Sequence, residues 1–240
     1  MTNLTDLSVL LENVWLGSTI NECVLIVADG MATVKAMDMT SSVYVETSAK
    51  TTLEDDTLAF GNIGLLIKYL KANGGIDAEI VRSDNRLTIK PKGGATLKFL
   101  LSEPDLIPTY DASWEEGGNR IAELLAGYKS ELILTKESVT EFSSLMRMFG
   151  TKSAVLRVSK KGVVTITGGN ETEHQFTATI GKAEFEVCDI SLIVKNLLAV
   201  LDVLDYTENP VLRVSPGKAI VISCNESTWV LSPDDATPEE

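Results

Sequence analysis

The sequence predicts an α+β fold made by duplication, with two similar domains that each place two helices against antiparallel sheet. Three observations lead there. The octapeptide IGLLIKYL at 63–70 returns as ISLIVKNL at 190–197, with matching character at six of the eight positions. Upstream of each copy stands a strand, a tight turn and a second strand, with Gly30 at the turn of 22–34 and Gly162 at the turn of 153–166. Downstream, 79–89 answers 211–221, and the halves close alike, Phe99-Leu100-Leu101-Ser102 against Trp229-Val230-Leu231-Ser232. The period is a domain length rather than the roughly 20 to 50 residues of a solenoid repeat.

In chain order, Leu4, Leu7, Val9, Leu10, Leu11 and Val14 recur at helical spacing, with Thr5 or Asp6 available as N-cap. Alternating, β-branched stretches at 23–27, 31–37 and 43–46 predict a three-stranded meander, and polar 50–56 an exposed loop. The first copy of the repeated helix starts after Asn62, a plausible cap, and stops at Gly74-Gly75. Strands over 78–82, 86–90 and 95–101 complete this half. Pro104, Pro108, Gly117 and Gly118 mark 103–130 as a linker, within which 119–128 can form a short helix. The second half predicts a strand at 131–134, a helix at 137–149, and strands at 154–158, 163–167 and 174–180. An extended stretch at 183–187 then leads to the second repeated helix, capped by Asp189, and strands at 211–214, 219–223 and 228–231 follow. The domains are therefore 1–102 and 131–232, joined by the linker 103–130 and followed by an acidic tail, 233–240.

Composition excludes several classes of function. A chain of 240 residues that is 44% hydrophobic is long enough for two cores. The N-terminal stretch has no basic leader and carries Asp6 and Glu12 inside its apolar pattern, which predicts an unexported, cytoplasmic protein without a membrane span. Cys23, Cys188 and Cys224 stand singly in apolar stretches, as buried thiols of a reducing compartment do. The net charge of −13 opposes phosphate binding over the surface at large, but much of the acid lies in loops and tail, at 54–56, 115–116, 234–235 and 239–240.

No constellation for catalysis emerges. The single histidine, His174, has no nucleophile setting beside it, and no P-loop glycine pattern exists. The carboxylates do not gather in apolar surroundings that would set an acid against a base. No spaced oxygen-ligand loop predicts a metal site, and neither a cofactor nor an enzyme activity is expected. What remains is cationic residues on helices. If Ile63, Leu66, Ile67 and Leu70 face the core, Lys68 and Lys71 face away, and Lys195 takes the matching place in the second copy. On the helix from residue 137, Val139, Phe142, Leu145, Met146 and Phe149 point inward, while Thr140, Ser143 and Arg147 point out.

These residues resemble one family, the DNA sliding clamps of the two-domain type, which includes proliferating-cell nuclear antigen (PCNA) and phage polymerase processivity clamps. The likeness covers nearly the whole chain. It rests on the opening helix, the segment Met37-Asp38-Met39-Thr40-Ser41-Ser42-Val43, the repeated Leu-rich helix, and the ending Trp229-Val230-Leu231-Ser232-Pro233. The resemblance implies a homotrimeric ring whose helices line the hole and present Lys68, Lys71, Arg147 and Lys195 to duplex DNA, without sequence preference. It implies subunits joined edge to edge, Thr96, Lys98 and Leu100 of one chain against Gln175, Thr177 and Thr179 of the next. It implies a partner-peptide pocket formed by Met37, Val43 and Tyr44, by Leu106, Ile107 and Pro108, and by Leu231, Ser232 and Pro233. The partners would be a DNA polymerase and a clamp-loader ATPase, in the cytoplasm, or in the host cytoplasm or nucleoid for a viral source. The chain departs from a strongly basic lining, since the first helix offers Glu12 and no Lys or Arg. The alternative reading is an acidic two-domain protein-interaction module that never meets DNA.

Overall fold

A computed structural model describes residues 2–74, 77–107, 124–128, 130–169 and 174–234. Two compact units divide the chain, Met1–Glu116 and Gly117–Glu240.

In the first unit a short strand β1 (Thr2–Asn3) runs into helix α1 (Leu4–Trp15). Leu4, Leu7, Leu10, Leu11 and Val14 are buried at helical spacing, whereas Val9 falls off that stripe and is 53% exposed. The helix already begins at Leu4, so Thr5 and Asp6 stand in its first turn rather than ahead of it. Asp6 there faces the positive end of the helix dipole. Strands β2 (Cys23–Ala28), β3 (Met31–Met37), β4 (Val43–Lys50) and β5 (Asp56–Phe60) form antiparallel neighbours in the order β5-β2-β3-β4. Helix α2 (Ile63–Ala72) follows, its first turn held by the Asn62 side chain, which accepts the Leu65 N–H at 3.0 Å. Strands β6 (Asp77–Ser83), β7 (Arg86–Pro91) and β8 (Leu97–Leu100) then join β1 in the order β1-β6-β7-β8. The core gathers Ile63, Leu66, Ile67 and Leu70 of α2 with Phe60, whose ring meets Phe99 edge-on at 5.9 Å. Helices α1 and α2 pack closely where Gly64 faces Trp15. A Cβ at Gly64 would lie 3.0 Å from the Trp15 Nε1.

The second unit repeats this plan. It contains β9 (Leu132–Ile133), helix α3 (Lys136–Met148), β10 (Ser153–Val158), β11 (Val163–Gly169), β12 (Gln175–Lys182), β13 (Cys188–Ile193), helix α4 (Val194–Val203), β14 (Val211–Arg213), β15 (Ile220–Cys224) and β16 (Ser227–Leu231). Its strand orders, β13-β10-β11-β12 and β9-β14-β15-β16, match those of the first unit strand for strand. Thr135 caps α3 by accepting the Ser138 N–H at 3.3 Å.

Several expectations change. The second copy of the octapeptide is not one helix. Residues through Ile193 are strand, antiparallel to β10, and the helix begins only at Val194. Asp189 is therefore no cap: it sits in β13 and takes both Nε and Nη2 of Arg157 at 2.9 Å. Residues 183–187 form no regular element. The loop expected over 50–56 is trimmed at both ends, since β4 runs on to Lys50 and a further strand, β5, already begins at Asp56. Ser143 is buried rather than facing out, and Leu145 and Phe149 are only half-buried. Of the helix expected over 119–128, residues 124–128 are described and 124–126 are helical. Residues 119–123, and the tail from 235 on, lie outside the described residues.

Candidate nucleic-acid interface

The charges on the four helices balance. Five cations, Lys68, Lys71, Lys136, Arg147 and Lys195, stand against five carboxylates, Asp6, Glu12, Glu137, Glu141 and Asp202. The helical surface is thus neutral in a chain of net charge −13. Lys68 and Lys195 are exposed and make no ion pair among the described residues. Lys71 on α2 pairs with Glu12 on α1 at 2.9 Å. Arg147 on α3 pairs with Asp202 on α4 at 2.6 Å.

Among the described residues β1, β8, β9 and β12 each end a sheet; β1 and β9 are two residues long, and the longer open edges are those of β8 and β12. In the first unit, β8 pairs with β7 alone and leaves Thr96, Lys98 and Leu100 exposed, Leu100 by 61%. In the second, β12 pairs with β11 alone, and its exposed Gln175, Thr177 and Thr179 alternate with buried Phe176, Ala178 and Ile180. The outer edges of β5 and β13 are treated differently. Ser102 N–H donates to the Ala59 carbonyl at 2.9 Å, and Asp234 N–H donates to the Ser191 carbonyl at 2.9 Å, so the segment after each unit's last strand lies along them. Covering an edge removes its capacity to pair with another chain, and β8 and β12 keep that capacity.

The residues expected to receive a partner peptide divide by exposure. Val43, Tyr44, Ile107 and Leu231 are buried, Ile107 against Val24 and Ala59. Met37, Ser232 and Pro233 are half-buried, Leu106 is 78% exposed, and Pro108 lies outside the described residues. Sequence reasoning passed over Met39, which is 94% exposed at the tip of the β3–β4 turn. The signal was the Asp-x-Thr-Ser-Ser pattern around it. Oδ1 of Asp38 accepts the N–H groups of Ser42 and Val43, both at 2.7 Å, and Oδ2 accepts the Ser42 hydroxyl at 3.0 Å and the Thr40 N–H at 3.2 Å, with the Thr40 hydroxyl also bonded there. One carboxylate thus closes the turn and holds Met39 outward.

Burial alone would raise the Asp38 carboxyl, but the hydrogen bonds from Thr40, Val43 and Ser42 outweigh it and hold the group below the usual carboxylate range. A depressed folded value means stability that is complete above the unfolded value, near 4, and is lost as the pH falls through the lower folded one. Asp38→Ala is expected to cost about 1 to 3 kcal/mol at neutral pH, the penalty for orphaning buried donors. Denaturant melts at neutral and strongly acid pH check this, and the deficit shrinks in acid.

Among the described residues, the cavities and thiols are taken up by ordinary contacts. An open cavity of about 460 Å³ in the first unit is lined by Arg82, which already bonds Asp56 and the Thr57 carbonyl. One of about 300 Å³ in the second is lined by Lys218, already on the Gly127 carbonyl at 2.9 Å. Burial pushes the thiols of Cys23, Cys188 and Cys224 above their ordinary value, away from the thiolate form. Among the described residues no group of three or more His, Cys, Asp or Glu is placed to hold a metal ion.

Two duplicated units, each with paired helices on antiparallel sheets in one repeated strand order, define the sliding-clamp fold. Solved structures bear this out. PCNA from Thermococcus kodakaraensis superimposes with a TM-score of 0.72 at 12% identity, over 96% of this chain and 97% of that one. A. fulgidus PCNA, solved with the C-terminal region of FEN-1 bound, gives 0.69 at 11% identity, over 98% and 97%. The Helicobacter pylori β clamp bound to a DNA ligase peptide gives 0.66 at 15% identity, over all of this chain and 68% of that one. The sequence matches no protein-family model and none of the curated proteins. At these identities the likeness is one of fold.

Proposed function

We propose that the chain is the subunit of a DNA sliding clamp, three copies of which close into a ring around duplex DNA and tether a replicative polymerase. The observation that carries this reading is the duplicated clamp fold over nearly the full length of PCNA, together with helices neutral in charge on an otherwise acidic chain. Closure uses the open edges, with β8 of one copy continuing the sheet that ends in β12 of the next. Lys68, Lys71, Arg147 and Lys195 then meet phosphates. Contacts so few exchange quickly and read no sequence, so the ring slides while its closure prevents escape. No catalytic step is involved, and a clamp-loader ATPase would open the ring.

Polymerase and other partners would dock short peptides, as DNA ligase and FEN-1 segments do on the two clamps named above. Of the residues expected to receive such a peptide, Leu106 is exposed and Met37, Ser232 and Pro233 are half-buried, and exposed Met39, two residues from Met37, is proposed as a further apolar contact. Buried Val43, Tyr44, Ile107 and Leu231, together with Pro108, are proposed as the remaining peptide contacts. A few apolar anchors of this kind supply most of the affinity in peptide docking.

Native mass measurement tests the assembly. The reading predicts a particle of three 26.0 kDa chains. A monomer at all working concentrations would favour the acidic interaction module instead.

A further inference from the structure

We infer that Glu12 and Asp202 limit the grip of this clamp on DNA, by occupying the two cations that phosphate would otherwise take directly. The inference rests on the reading above. Lys71 and Asp202 hold the same place in the duplicated fold, each the ninth residue of its helix, α2 and α4. The sign of the charge there is opposite in the two units. The facing helix has changed with it: α1 supplies Glu12 to meet Lys71, and α3 supplies Arg147 to meet Asp202. Both units therefore bridge their helix pair with one acid and one base, although the residues involved are not copies of each other.

Such pairs add little to stability when exposed, and Lys71, Arg147 and Asp202 are exposed while Glu12 is half-buried. Their larger effect falls on a third charge. A phosphate reaching Lys71 competes with a carboxylate that is itself fixed, since Ser8, a buried residue, donates its hydroxyl to Glu12 Oε1 at 2.9 Å while Oε2 holds Lys71. A phosphate reaching Arg147 likewise competes with Asp202, which neutralises the guanidinium at Nη2. The freed carboxylate gathers counterions as the phosphate sheds them, so these two contacts add little to net counterion release. Lys68 and Lys195 have no such competitor, and they carry the salt-dependent part of binding.

The test compares the full-length protein with Glu12→Gln/Asp202→Asn, using a short linear duplex, fluorescence anisotropy and a series of salt concentrations. The control is Asp29→Asn/Glu226→Gln, which makes the same change in net charge at two exposed hairpin turns. The acid variant should bind several-fold tighter at low salt, and its plot of log affinity against log salt should steepen by about 0.9 for each cation released. The control should leave the slope at the parent value. Adding Lys71→Ala/Arg147→Ala to the acid variant should abolish the gain. A parent-like slope in the acid variant, an equal effect in the control, or a gain that survives loss of both cations would overturn the inference while leaving the clamp reading intact. If neither parent nor variants bind the duplex in a salt-dependent way, this inference is overturned, while the clamp reading is decided separately by the three-chain mass and by retention on closed DNA. Thermal melts matching the parent exclude unfolding as the cause.

Discussion

Leu100→Glu combined with Thr177→Glu is expected to reduce the proposed three-chain particle to monomers that remain folded. Leu100 is the large apolar residue exposed on β8, and Thr177 stands at the middle of the outer face of β12. Joining these edges would bury Leu100, which is worth about 1.5 to 3 kcal/mol for a fully buried side chain. Like charges brought together across a new ladder oppose pairing by roughly another 0.2 to 1 kcal/mol. The combined loss of about 2 to 4 kcal/mol per interface raises its dissociation constant on the order of 100-fold. A ring must close every interface at once, so the loss is repeated around it. Within one chain both sites are exposed, where substitutions change stability by about 0.5 kcal/mol or less. Native mass and a urea melt, run side by side, separate the two effects. A variant that keeps its three-chain mass would show that these edges are not where copies meet.

Phe60→Ala is expected to lose about 3 to 5 kcal/mol of stability, as deletion of a fully buried aromatic side chain does. Phe60 is fully buried, ends β5 two residues before the Asn62 cap of α2, and packs edge-on against Phe99. It thereby ties the strand, the following helix and β8 to one core. Leu65→Ala is the contrast. Leu65 lies on the same helix but is 53% exposed, and its loss should shift the urea midpoint little. Equal shifts for the two variants would contradict the packing described here.

The duplication was legible because both halves keep the same alternation of strand and helix, and turns such as Gly30 and Gly162 mark the same joints. Gly162 has φ +73, and a Cβ there would stand 2.5 Å from the Ala183 carbonyl oxygen, so the glycine is required by the backbone. The octapeptide match was real in character but misaligned in structure. Its copies are 127 residues apart, whereas the helices begin at Ile63 and Val194, 131 apart. A slip of four residues is close to one helical turn and preserves the apolar phase, which is why the wrong register looked right. The flanking pairs, Phe99 with Trp229 among them, already argued for the longer spacing.

Lys68 and Lys195 consequently are not structural copies, though both are exposed. The position matching Lys68 in α4 is Ala199, and that matching Lys195 in α2 is Gly64. Outward placement of the cations followed from the spacing of the apolar residues beside them. Their partners did not. Glu12 meets Lys71, and Asp202 meets Arg147, only because tertiary packing brings two helices together, and no local pattern records that. Met39 was hidden for a related reason: an apolar residue beside a strand reads as core unless the hydrogen bonds that turn it outward are known.

Whether the ring encircles DNA is decided by its retention on closed versus cut DNA. The protein is loaded on nicked circular DNA, separated from free protein at moderate salt, and challenged with a single cut that leaves free ends. Encirclement with a weak, neutral helical lining predicts that the protein stays with the circle and is released once an end exists, and that blocking both ends restores retention. Equal retention on circular and cut DNA with free ends would contradict it, because binding would then reside in surface affinity and not in a closed ring.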